Sequence, residues 1–184
     1  MGVQSLLFLE KNKGGKKMKT CIFAGTFDPI TVGHEYVIKK CLKKYGRVLV
    51  VVGSNPEKTA YFSVDERLEL ISKVFEDTPS VFVVNYLDLG DKYKDYLKEF
   101  GVKIYVRGIR NRTDLKFENA MKKKNKELYP FIKTRYIKCP KKYKNVSSSL
   151  VKEYIKTGQD FLDFVPESIR NSILKIISKK TKKD

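Results

Sequence analysis

An α/β fold with a five-stranded parallel sheet flanked by helices is predicted by three observations. Short apolar runs that suit strands alternate along the chain with amphipathic or charged runs that suit helices. One run, "RVLVVVGS", is almost continuously β-branched, as expected of a central parallel strand covered on both faces. The loops that carry unusual chemistry each follow a predicted strand, and parallel sheets bind ligands at the carboxyl ends of their strands. With 184 residues, 41% of them apolar, the chain is most simply one domain with a real core.

Residues 1–17 are Lys/Gly-rich and lack sustained periodicity, so they read as an extension; Met18 offers an alternative start. "KTCIFAG" is a short buried strand ending at Gly25. "GHEYVIKKCLKKYG" has Val37, Ile38, Cys41 and Leu42 on one helical face and a stop at Gly46. "RVLVVVGS" is the second strand. "SVDERLELISKVFED" opens on a capping box, Ser63 with Glu66, and carries a stripe of Val64, Leu68, Ile71 and Phe75. "SVFVVNY" is a third strand, "DKYKDYLKEFG" a helix and "VKIYVRG" a fourth strand. "RTDLKFENAMKKKNKELY" is a largely charged helix, and "IKTRYIKC" alternates enough for a fifth strand. "SSSLVKEYIKTG" is a helix with serines at its start and Gly158 at its end. "PESIRNSILKIISKK" closes the chain as a helix with Pro166 near its N-terminus. No internal repeat is visible.

The formal charge is +18, from 39 Lys+Arg against 21 Asp+Glu. Such an excess suits either nucleic-acid binding or a Lys-biased surface around a site for a small anion. The lysines are scattered, arginines are few, and no aromatic–basic RNA motif appears, which favours the small anion. Cys21, Cys41 and Cys139 stand far apart without a CxxC spacing, and His34 is the single histidine. Free thiols in a reducing compartment are expected, with no zinc site. No apolar run approaches the roughly 18–20 residues that span a bilayer. "SLLFLE" is too short for a signal core, so a cytoplasmic protein with no membrane partner is expected.

Four strand ends carry the chemistry: "GTFDP", "GSNPEK", "RGIRN" and "NVSSS". At the first, Gly25 permits a turn, Thr26 offers a hydroxyl and Pro29 stiffens the loop. Gly33 and His34 then begin a helix, whose unpaired N–H groups and partial positive charge attract anions. An imidazole there can donate to a phosphate and strengthen that bond as charge builds in a transition state. The serines of "NVSSS", Ser147, Ser148 and Ser149, lie at a second helix start. One of them, Ser147, suffices as an N-cap, and three exceed that need.

The string "GTFDPITVGH" fits the T/HxGH signature of the nucleotidyltransferase superfamily and closely resembles the bacterial-type phosphopantetheine adenylyltransferases. "FSVDER", "VRGIRNRTDLKFE" and "NVSSSLVKE" continue the likeness in the family's order, which covers about Lys19 to Ile177. The resemblance implies a single Rossmann-like domain over residues 18–178. A flexible basic extension at 1–17 precedes it and a basic tail at 179–184 follows. It implies transfer of an adenylyl group from ATP to 4'-phosphopantetheine, giving dephospho-coenzyme A and pyrophosphate. Mg2+ is expected to be held mainly by ATP and water, with no protein metal ligands. A homo-oligomer, a hexamer in the family, is implied as well.

Carried over by position, His34 is the catalytic residue and contacts ATP. Thr26 lies beside the reacting phosphate and touches both substrates, and Phe27 gives ATP a backbone contact. Lys58 grips the pantetheine phosphate, and Arg107 is the substrate-side arginine, its planar fork suited to phosphate oxygens. Gly108, Ile109 and Arg110 lie along ATP, and Glu118 is near the nucleotide. Tyr143, Lys144, Asn145 and Val146, with Ser147, Ser148 and Ser149, form the second nucleotide loop. Counting back from Arg107 suggests Tyr93 for the pantetheine arm.

The chain departs from the family pattern in four places. Ala24 stands where Pro is usual, "DLKFE" replaces the commoner "DFEYE", the segment "LDLGDKYKDYLKEFG" is longer by a few residues, and the extension matches nothing. The nearest rival is a nicotinate mononucleotide adenylyltransferase, against which the "RGIRN…DLKFE" block speaks. The rival of another class is a basic nucleic-acid-binding module, whose specific form would bind sequence-selectively and survive moderate salt.

Overall fold

The computed structural model describes residues 18–54, 59–110 and 126–182. The extension at 1–17, Lys58, Glu118 and most of the predicted helix at 112–129 lie outside the described residues.

The described residues form one sheet of five parallel strands in the order β3-β2-β1-β4-β5, with helices on both faces. These are β1 (Lys19–Gly25), β2 (Gly46–Val52), β3 (Val81–Asn85), β4 (Val102–Ile109) and β5 (Lys133–Lys138). The helices are α1 (Val32–Tyr45), α2 (Val64–Val74), α3 (Tyr86–Leu89), α4 (Tyr93–Glu99), α5 (Ser148–Thr157) and α6 (Arg170–Thr181). β1 runs in register with β2 from Lys19↔Gly46 to Gly25↔Val52. β4 lies on its other side, from Thr20↔Val102 to Ile22↔Tyr105, with one register shift after Thr20.

Alternation along the two central strands explains why the sheet is covered twice. Cys21, Phe23, Val48, Val50 and Val52 enter one core with Val37, Ile38 and Cys41 of α1, Leu70 and Ile71 of α2, Val151 of α5 and Ile173 of α6. Ile22, Leu49 and Val51 enter the other with Tyr93 and Leu97 of α4, Val102 and Ile132. Successive strand side chains point to opposite faces, so a continuous apolar run is what a strand buried on both sides needs.

Two elements differ from the sequence expectation. The helix expected over 91–101 is shorter, α4 with a 3-10 turn at Gly90–Lys92 before it, and an additional short helix, α3, stands at the end of the expected third strand. Asn85 starts a helix as soon as β3 ends: its side chain accepts from Leu87 N–H at 3.1 Å and donates to Asp88 at 2.9 Å. The expected last helix begins with a 3-10 turn, Glu167–Ile169, before α6 runs to Thr181. Near its end, Lys180 donates to the Tyr61 carbonyl at 2.7 Å and pairs with Glu66 at 2.9 Å.

Candidate active site

Strand order places β1 between β2 and β4, and the chain leaves β1 toward α1 and β2 on one side only. The carboxyl ends of β1 and β4 therefore flank the point where the winding reverses, the usual crevice of such sheets. Residues 25–31 leave β1 there.

Phe27 holds this loop in shape. Its φ of 47° is in the left-handed region that a bulky residue rarely adopts, and it is 1% exposed. Its ring packs edge-on against Phe23 at 5.4 Å and His34 at 5.0 Å. A Cβ on Gly25 would stand 3.2 Å from that ring, so the glycine makes room for it. Buried Asp28 accepts from the Tyr61 N–H at 3.1 Å and the Phe62 N–H at 2.8 Å, and pairs with Lys152 at 2.7 Å. Arg67, 3% exposed, donates to the Thr26 carbonyl at 2.9 Å and the Gly53 carbonyl at 3.1 Å. It thereby ties the exit of β1 to the exit of β2.

α1 opens with a capping box between Thr31 and His34. The Thr31 hydroxyl accepts from the His34 N–H at 3.4 Å, and His34 Nδ1 accepts from the Thr31 N–H at 3.1 Å. A nitrogen that accepts a backbone N–H carries no proton, so a neutral His34 keeps its proton on Nε2. Burial, then the positive charges of Arg110 and Arg107, push the imidazole pKa down to about 4. At neutral pH His34 is therefore a neutral Nε2–H donor at a helix N-terminus, with two guanidiniums in its field.

Those guanidiniums leave the end of β4. Arg107 donates to the Ala24 carbonyl at 3.1 Å, and Arg110 to the Val146 carbonyl at 3.1 Å. Gly108 between them meets α1: a Cβ there would lie 3.1 Å from Val37 Cγ2. Ile109 ends β4, and its carbonyl takes the Cys139 N–H at 2.8 Å.

On the loop into α5, the Tyr143 ring lies 5.7 Å from that of Tyr36 on α1. Lys144 and Asn145 are exposed, while Val146 is buried. Ser147 caps α5 by accepting from Leu150 N–H at 3.1 Å, and Ser148 donates to the Pro29 carbonyl at 2.8 Å. Ser149 is exposed and, with Thr26, Asp28, Ser54, Ala60, Arg67, Ser148 and Lys152, lines a cleft of about 120 Å³. A wider open depression of about 480 Å³ on α6, around Leu174, holds none of the predicted site residues.

The structure thus brings together Thr26, Phe27, His34, Arg107, Gly108, Ile109, Arg110 and the 143–149 loop along one rim. Tyr93 is not part of that group. It is 6% exposed in the opposite core, with its ring 4.9 Å from Tyr86 and 5.8 Å from Tyr129, and burial pushes its phenol pKa up. Asp28, Arg67 and Lys152 were not among the predicted site residues, although each lies inside a family-like block. One signal for Arg67 is visible: it falls three residues after Val64 and four before Ile71, within the apolar stripe of α2. Among the described residues, no three His, Cys, Asp or Glu side chains cluster as a metal site.

Comparison with known proteins extends the geometry. The cytidylyltransferase-like family model matches residues 22–154. A phosphopantetheine adenylyltransferase of Flavobacterium psychrophilum is 35% identical over 153 residues, 83% of this chain and 99% of that protein. One of Clostridium botulinum is 38% identical over 163 residues, 89% of this chain and 98% of its own length. A bifunctional NMN adenylyltransferase/ADP ribose pyrophosphatase from Francisella tularensis superposes with a TM-score of 0.59 at 17% identity, over 80% of this chain. That match spans only 45% of the bifunctional protein and bears on the fold alone. The chain belongs to the cytidylyltransferase-like family and, within it, to the phosphopantetheine adenylyltransferases.

Proposed function

We propose that this chain is the nucleotidyltransferase that moves the adenylyl group of ATP onto the phosphate of 4'-phosphopantetheine, a step of coenzyme A biosynthesis. An oxygen of the acceptor phosphate attacks the α-phosphorus of ATP. A P–O–P linkage forms as the bond to the β-phosphate oxygen breaks, and pyrophosphate leaves with the electron pair. The products are dephospho-coenzyme A and pyrophosphate. No protein nucleophile is needed, so the protein acts by alignment and charge stabilisation.

The observation that carries this reading is the state of His34. Its Nδ1 is occupied by the Thr31 N–H, its pKa lies near 4, and its Nε2–H is left to donate. A neutral donor at the mouth of α1 bonds a phosphate oxygen throughout the reaction and does so most strongly as negative charge builds. Arg107 and Arg110 supply fixed positive charge beside it, and Thr26 offers a hydroxyl at the end of β1. The N-terminus of α5, with Ser149 at its surface, suits a nucleotide's phosphates. Lys58 grips the acceptor phosphate by family resemblance, and Ser54, at the exit of β2, lines the cleft.

Among the described residues, the one carboxylate lining the cleft, Asp28, is taken up by Lys152 and two backbone N–H groups. That donor set fits a Mg2+ held by nucleotide oxygens and water, which neutralises triphosphate charge when bound. The reading also includes a homo-oligomer and a cytoplasmic location. Free Cys21, Cys41 and Cys139 suit a reducing compartment, and no helix among the described residues is long and apolar enough to cross a membrane.

The test is pyrophosphate release from ATP in the presence of 4'-phosphopantetheine, with nicotinate mononucleotide as the parallel acceptor. Release with phosphopantetheine alone is expected. Turnover only with the mononucleotide would replace this reading with its rival.

A further inference from the structure

We infer that Lys152 is a positioning residue that holds the exit loop of β1 and residues 59–62 ahead of α2 in one geometry, so that acceptor and nucleotide meet in line. The inference rests on the adenylyl-transfer reading for its effect on turnover, and on these contacts alone for its effect on the loops.

Lys152 stands one turn after Ser148 on α5, so both side chains leave the same face. Ser148 donates to the Pro29 carbonyl at 2.8 Å, and Lys152 meets Asp28, the preceding residue, at 2.7 Å. α5 therefore grips the β1 loop at two adjacent points. The same ammonium reaches the Thr59 carbonyl at 3.4 Å, in the segment ahead of α2. Asp28 completes the joint by accepting from the Tyr61 and Phe62 N–H groups further along that segment.

The pair is largely withdrawn from water, with side-chain exposures of 19% for Lys152 and 6% for Asp28. Removing one partner leaves the other charge without its match and loosens what it held. Three segments converge here. The β1 loop bears Thr26 and leads to His34, the second segment is Thr59 to Phe62 ahead of α2, and the start of α5 bears Ser147 to Ser149. A joint between them acts on the alignment of two substrates rather than on the affinity of either one. Small misalignments of reacting atoms cost orders of magnitude in rate.

The experiment compares Lys152→Met and Lys152→Arg with the wild type, by turnover, by ATP binding alone, and by amide hydrogen exchange. Lys152→Met is expected to lower kcat about 30-fold while leaving the ATP dissociation constant within about threefold. It is expected to speed exchange at Tyr61 and Phe62 about tenfold, with the amides of β1 and β2 unchanged. Lys152→Arg should recover kcat to within about fivefold, because the ion pair survives. Asp28→Asn should add little to Lys152→Met, since both break one joint. A tenfold loss of ATP affinity with kcat intact would overturn the inference and make Lys152 a direct phosphate ligand. Unchanged exchange at Tyr61 and Phe62 would overturn it too. The exchange measurement needs no turnover, so a wild-type protein inactive on phosphopantetheine would refute the functional reading and still leave this one decided.

Discussion

α1 and α2 begin with the same local device and use it for different ends. Each opens on a reciprocal capping box in which an N-cap hydroxyl accepts from the N3 backbone and the N3 side chain accepts from the N-cap N–H. In α2 the N3 residue is Glu66, whose carboxylate takes the Ser63 N–H at 2.8 Å and offsets the positive end of the helix. In α1 the N3 residue is His34, which caps equally through Nδ1 but is neutral and has a second ring nitrogen to spare. Under the proposed function, the difference turns a helix start that stabilises the fold into one suited to a phosphate. The acid is replaced by an imidazole, the helix end keeps its positive potential, and one donor is left over.

The contrast breaks most sharply when the boxes are made alike. His34→Glu retains a reciprocal cap but puts a carboxylate where phosphate is expected. Turnover should fall by more than about three orders of magnitude, with a melting temperature within a few degrees of the wild type. His34→Ala removes cap and donor together. It should lower kcat about 100- to 1,000-fold, weaken ATP binding far less, and cost about 1 kcal/mol of stability. Steady-state kinetics with thermal melts on the same preparations separates the two roles. Full activity in either variant would remove His34 from the mechanism.

Much of this arrangement is legible in the sequence because it is local. Thr31 with His34, Ser63 with Glu66, and Ser147 at the start of α5 are caps spelled within four residues. β1 and β2 carry unbroken apolar runs, Cys21 to Ala24 and Val48 to Val52, which suit strands buried on both faces. The interactions that assemble the site are not legible in the same way. Asp28 meets Tyr61 and Phe62 across about 33 residues, Arg67 meets Thr26 across 41, and Lys152 meets Asp28 across 124. Each is a polar residue inside a motif whose partner is set by topology, not by spacing. Gly108 shows the same limit. Motif reading assigns it to the nucleotide, while the space its side chain would fill belongs to Val37. Tyr93 rests on a count back from Arg107 through a segment longer than the family's, and its burial in the core beneath α4 is set by packing that spacing does not encode.

The comparison sharpens by titration, because His34 is the chain's single histidine and its ring signals have no overlap. Free protein should show an imidazole pKa near 4, below the ordinary 6.5. Added ATP should raise it, since the triphosphate offsets the charges of Arg107 and Arg110. Between pH 6.5 and 4 the unfolded chain takes up a proton at His34 that the folded chain refuses. His34 therefore contributes stability that is full above about 6.5 and drains away as pH falls toward about 4. His34→Ala should flatten that part of the stability–pH curve. A free-protein pKa near 6.5 would mean that burial and the charges of Arg110 and Arg107 do not act on the ring.

The smallest effect belongs to Glu66→Gln. The amide oxygen still accepts from the Ser63 N–H, so the cap persists without its charge. What disappears is the interaction with the helix dipole and the 2.9 Å pair with Lys180. Glu66 and Lys180 are 27% and 34% exposed, so solvent screens the pair, and its loss should cost under about 1 kcal/mol. Turnover should stay within about twofold of the wild type, because Glu66 pairs with Lys180 of α6 and has no part in the proposed phosphate site. The measurement is a denaturant midpoint beside kcat for both substrates. If Glu66→Gln slowed turnover as far as His34→Ala does, the two boxes would be equivalent parts of one catalytic frame. The imidazole of α1 would then lose its claim to a separate role.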